Sequence, residues 1–185
     1  ATQCEASAEL TANATVLDTI GQISASNADP VDEFGTSVAI SGDGNYIAVG
    51  TPRESSAATG IDGDQNDNTS SESGAGYVFV KNGNSWAPTA YIKASNTDMT
   101  DKFGSSVALN EDGSTLAVSA HLEDSVDIGI NADESDNSTK DSGAVYVFTR
   151  SVTTWSQQSF IKASNTENID FQYTEISDHF GATID

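Results

Sequence analysis

The chain repeats itself, and the period decides what it can become. The stretch "YIKASNTDMTDKFGSSVALNEDG", starting at Tyr91, is a close copy of "QISASNADPVDEFGTSVAISGDG", which starts 69 residues earlier at Gln22. Phe34-Gly35, Phe103-Gly104 and Phe180-Gly181 mark three units, and the third follows the second by 77 residues because "ENIDFQYTEIS" adds eight. The first two units align without a gap, with 29 of 69 positions identical. Trp86 falls on Trp155, Asp43-Gly44 on Asp112-Gly113, Gly74-Ala75 on Gly143-Ala144, and Tyr77-Val78-Phe79 on Tyr146-Val147-Phe148. Self-similarity of this kind builds supersecondary units that bury their apolar faces only by stacking on their neighbours.

Each unit reads as four short strands. "FGTSVAIS" alternates apolar with small or polar residues, the pattern of a half-buried strand. "GDGN" is a hairpin signal, since Asp-Gly supplies the positive φ of a tight turn. "YIAVGT" reads as a buried strand, and after a long polar loop "GAGYVFV" is rich in aromatic and β-branched residues. "KNGNS" is a second turn, and "WAPTAYIKA" is a fourth strand whose proline suits a sheet edge. Capped helical periodicity is missing, apart from a weak pattern in "ASAELTANATVL". The fold class expected is all-β, with antiparallel four-stranded β-propeller blades. A sandwich or solenoid of the same strands is the alternative. Gly and Ala in "FGxSVA" and "SGA" would let successive sheets approach closely.

The pattern Phe34-Gly35 followed by Gly50-Thr51-Pro52 resembles the FG-GAP repeat of integrin α-subunit propellers, and most closely the bacterial proteins with integrin-α-like repeats. The second unit keeps Phe103-Gly104 but has Ser119-Ala120-His121 where Gly-Ala-Pro would stand. The resemblance runs from about Val16 onward. It implies a propeller, but says little about activity. It also implies calcium ligands between the Phe-Gly and Gly-Ala-Pro elements. Here that interval holds only Asp43-Gly44-Asn45 or Asp112-Gly113-Ser114, a hairpin, so those ligands do not transfer.

The units divide the chain into a tail at 1–13, a last strand of a preceding blade at 14–26, a first blade at 34–93 and a second at 103–162. Residues 163–185 form a linker and the first strand of an incomplete third blade. Two full blades with a partial blade at each end do not close a ring of the usual seven. Either the chain is a piece of a longer one, or its orphan strands complete blades in neighbouring copies. The second arrangement is a head-to-tail contact that gives rings or filaments.

Asp and Glu number 28 against 7 Lys and Arg, a formal charge of −21. Such a surface repels nucleic acid and anionic lipid and attracts cations. No apolar run is long enough for a membrane span. Cys4 is the sole cysteine, so it forms no internal disulfide.

Cation ligands are sought in the loop "GIDGDQNDNTSSES" and its copy "GINADESDNSTKDS". The first offers Asp62, Asp64, Asn66, Asp67, Asn68 and Glu72; the second Asn131, Asp133, Ser135, Asp136, Asn137 and Asp141. Alternating oxygen ligands suit Ca²⁺, whereas zinc favours Cys or His. No glycine stands at the sixth position, so this is not an EF-hand loop. A solvated polar connection is the other reading. The acids Asp32, Asp101 and Asp178 recur before each Phe-Gly and read as additional ligands or as caps of the turn. Asn13, Asn68 and Asn137 are N-glycosylation sequons, the last two in equivalent places.

His121 and His179 stand at non-equivalent positions, and no nucleophile, zincin or phosphate-loop motif is present. Trp86 and Trp155 read as core rather than as sugar platforms. These features together suggest a non-enzymatic, extracellular or cell-surface, calcium-binding repeat module with a structural or adhesive role. It would self-associate, or bind a carbohydrate or a cell-surface protein. The alternatives are the accessory propeller of a secreted hydrolase, and a lectin-like module.

Overall fold

The computed structural model describes residues 22–166 and 178–185. The 1–13 tail with Cys4 and Asn13, and residues 14–21 of the expected preceding strand, lie outside the described residues.

Strand-forming residues and turn glycines alternate as the sequence requires, and eight strands result among the described residues. They are β1 (Ser37–Ile40), β2 (Tyr46–Thr51), β3 (Ala75–Asn82), β4 (Ser85–Ile92), β5 (Phe103–Leu109), β6 (Thr115–Ala120), β7 (Ala144–Ser151) and β8 (Thr154–Ile161). They form two antiparallel sheets in the orders β1-β2-β3-β4 and β5-β6-β7-β8. No helix occurs among the described residues. The chain is thus all-β, and its sheets are blades of the propeller type. Pro88 sits on edge strand β4, opposite Phe79 and beside a bulge at Val78/Phe79. The second blade has the same bulge at Val147/Phe148.

Each sheet has two apolar faces. The front face of the first carries Val38, Ile47, Val49, Tyr77, Phe79 and Tyr91, placed together by the strand register. Its back face carries Ala48, Val78, Ala90 and Ile92. That back face packs on the front face of the second sheet, where Phe103, Val107, Leu116, Val118, Tyr146, Phe148, Trp155 and Phe160 complete one core. The sheets come close because the contact is made at glycines. A Cβ on Gly74 would lie 2.0 Å from the Phe103 carbonyl oxygen, and one on Gly50 would lie 1.9 Å from that of Gly104.

The third Phe-Gly docks in the same way. A Cβ on Gly143 would meet the Phe180 carbonyl oxygen at 2.3 Å, and the Phe180 amide donates to Ser142 O at 3.0 Å. Residues 180–185 run as a turn and bends rather than as a strand, because no second strand lies beside them among the described residues. Residues 22–26 also carry no strand, although Ile23 and Ala25 pack on the front face of the first sheet.

Candidate functional site

Three features of the blades could carry function: the acidic loops, the joint between blades, and the uncovered sheet faces.

The acidic loops spend their side chains on their own shape. Asp62 Oδ1 accepts from the Tyr91 amide at 2.9 Å, and Asn131 Oδ1 from the Phe160 amide at 3.0 Å, so these two tie the loop to the last strand. Asp64 and Asp133 close turns by accepting from the amides of Asn66 and Ser135 at 3.0 and 2.9 Å. Asp67 and Asp136 do the same for Thr69 and Ser138. Such turns are what these residues favour in loops. The amides of Asn68 and Asn137 donate to Asp29 and Asp98, and Glu72 is held by Arg53 and Lys102 at 2.7 Å each. Asp141 lies within 3.5 Å of Lys140 and accepts from the His179 amide through its backbone. Among the described residues, no group of three or more His, Cys, Asp or Glu is arranged to hold a metal ion.

The acids before each Phe-Gly close turns. Asp32 and Asp101 accept from the amides three residues upstream, Asp29 and Asp98, at 2.8 and 3.1 Å. Burial, reinforced by the charge of Glu123, pushes the Asp101 carboxyl up to about 8. Asp178 is exposed.

The joint holds residues to which sequence reasoning assigned no role. Lys93 and Lys162 are fully buried, and each meets a buried glutamate: Glu54 at 2.9 Å and Glu123 at 2.6 Å. The other oxygen of each glutamate accepts from an asparagine amide, Asn27 at 3.0 Å and Asn96 at 2.9 Å. Each asparagine carbonyl in turn accepts from a tyrosine hydroxyl, Tyr77 at 2.5 Å and Tyr146 at 2.6 Å. Ser73 and Ser142 complete the lysine shells at 2.8 and 2.6 Å. Burial holds the Lys93 ammonium below its usual range, against the pull of Glu54. A signal was present in the sequence: "KASN" recurs in a chain with only 7 basic residues. In the copy at 93–96 the lysine serves the blade it ends and the asparagine the blade that follows.

The histidines meet although they are not equivalent in the repeat. Their rings stand edge to face 5.7 Å apart, and His121 Nδ1 lies 2.8 Å from Ser105 Oγ. Burial and the neighbouring His179 lower the His121 pKa. Trp155 lies in the core between the sheets, under Arg150, whose guanidinium also covers the Tyr46 ring of the first blade at 4.2 Å.

The outer faces are only partly covered. On β1, Val38 and Ile40 are 61% and 59% exposed, whereas Val107, the equivalent of Val38 in the second blade, is 6% exposed. Beside them the front face forms a groove of about 510 Å³ between Gln22–Ser26 and Tyr77, Phe79, Trp86 and Tyr91. At the other end Ile130 is 67% exposed on the back face of the second sheet.

A family model, the FG-GAP repeat, matches residues 19–79 and 86–148. No curated protein matches the chain.

Proposed function

The chain belongs to the FG-GAP repeat family, and from that premise we propose that it is a non-enzymatic, extracellular structural or adhesive module whose blades extend by stacking. The observation that carries this reading is the contrast between Val107, sealed by the preceding sheet, and Val38, its exposed equivalent. A front face shaped like the internal joint, and left open, suits another blade of the same type. That blade belongs to a longer chain or to a second copy. Sheet order favours stacking of faces over completion of strands. First and last strands lie at opposite edges, so an orphan first strand and an orphan last strand have two strands between them.

Calcium keeps a place in this proposal as a charge partner of the acidic loops. The turns at Asp64/Asp133 and Asp67/Asp136 recur with the same hydrogen bonds, and a cation there would offset part of the −21 charge. The ligand of an adhesive surface would be a carbohydrate or a cell-surface protein.

Sedimentation velocity over a range of protein concentrations, with calcium or with EGTA, tests the reading. Concentration-dependent oligomers that weaken in EGTA are expected. A single monomeric species under all conditions would remove self-stacking and leave the module to act within a longer chain. An unchanged melting curve in EGTA would remove calcium.

A further inference from the structure

One constellation in each blade has the parts of a reaction as well as of an ion pair. Lys93 offers a primary amine and Asn27 a carboxamide. The two nitrogens are held on the two oxygens of one carboxylate, that of Glu54. The Tyr77 hydroxyl donates to the carboxamide oxygen at 2.5 Å, where negative charge would develop on attack. Lys93 and Glu54 are almost wholly removed from water. The second blade repeats every contact with Lys162, Asn96, Glu123 and Tyr146. A buried charge pair of this kind gives little stability over an apolar replacement, so its repetition is not explained by stability alone.

We propose that Asn27 and Lys93, and likewise Asn96 and Lys162, become joined by isopeptide bonds formed on the carboxylates of Glu54 and Glu123. Glu54 takes a proton from the Lys93 ammonium, a transfer that burial favours because it removes both charges. The Nζ lone pair attacks Cγ of Asn27, and Tyr77 stabilises the resulting oxyanion. The carboxyl of Glu54 relays protons from the attacking nitrogen to the leaving one. The Cγ–Nδ2 bond breaks and ammonia departs. One ammonium and one carboxamide become one secondary amide and one ammonium ion. Nothing is oxidised or reduced, and no water, metal or cofactor takes part.

The bonds would close the chain around each blade. One runs from residue 27 to residue 93 and encloses the first sheet, the other from residue 96 to residue 162 and encloses the second. The inference rests on the structural reading only for its purpose, that of a module that resists being pulled apart. Its test is independent of assembly.

Intact mass of the full chain, measured under denaturing conditions, decides it. The expected mass is lower than that of the sequence by two molecules of ammonia. Digestion should release branched peptides that join the Asn27 and Lys93 segments and the Asn96 and Lys162 segments. K93M and K162M should each regain one ammonia beyond the change of side chain, as should E123Q. The mass is read on denatured protein, so a variant that folds poorly still reports. A wild-type mass equal to that of the sequence, or ammonia loss mapped to other residues, overturns the proposal. Failure to oligomerise would leave this result untouched.

Discussion

Gly74 shows how much a single residue decides at the joint. Its φ is 83°, and a Cβ there would lie 2.0 Å from backbone of the next blade. Gly83 also has positive φ, 63°, but faces open space. Gly83→Ala should therefore lose only the left-handed strain, roughly 1 kcal/mol. Gly74→Ala adds overpacking, for a total of roughly 2–5 kcal/mol. Urea unfolding of the two variants separates the terms, and equal losses would contradict the close approach. Asp101 makes a prediction in pH. Its carboxyl titrates near 3.8 when unfolded and about 8 when folded, so the folded chain binds the extra proton between those values. Its contribution is present in full below the unfolded pKa and is lost as pH rises through the folded one. Asp101→Asn should flatten this fall in stability between about pH 4 and 8. Denaturation midpoints across that range check it; an unchanged slope would assign the effect to other groups. The turn roles of these acids were legible as one of two readings. The lysine–glutamate–asparagine contacts were not, because they join residues from three separated stretches and need the fold to bring them together.

At the scale of the element, each unit has the four strands its sequence predicts, with the largest difference in bounds at the first strand of the first unit, Ser37–Ile40 where the pattern spans 34–41. "YIAVGT" is β2 as quoted, and "GAGYVFV" gives β3. What the sequence could not show is why β5 begins at the Phe-Gly motif whereas β1 begins three residues after it. The two motifs are identical, and the cause is tertiary: Phe103 pairs with Ala120 and bridges to Gly74 of the preceding blade. Both phenylalanines rest edge-on against the tyrosine and phenylalanine of their own sheet, but among the described residues only Phe103 has a preceding blade to bridge to. Phe103→Ala should cost roughly 3–5 kcal/mol, as for a large side chain removed from a closed core. Phe34→Ala should cost distinctly less, measured by the same denaturation. The reverse order would mean that the first blade's front face is as well covered as the joint. The long loops were legible as polar connections between the second and third strands. The number of their carboxylates says nothing of direction, and direction is what separates a turn from a metal site.

The whole molecule balances two exposed apolar faces against a charge of −21. Repulsion between copies at low ionic strength opposes any stacking that the faces favour. Raising salt from about 0.01 to 1 M shortens the screening length from roughly 30 to 3 Å, so association should increase with salt. Light scattering checks this, with Val38→Lys/Ile40→Lys as the variant expected to stay monomeric at every salt concentration. Association unaffected by those two lysines would place the contact elsewhere.

The contacts across the joint have a consequence for how such chains change length. Residues at the end of one unit and the start of the next make the joint, and each complete unit carries both halves. Duplicating or deleting one stretch of DNA that encodes a whole unit therefore recreates the same joint, with no new surface to be selected. The gene can be lengthened like a ruler, one graduation at a time.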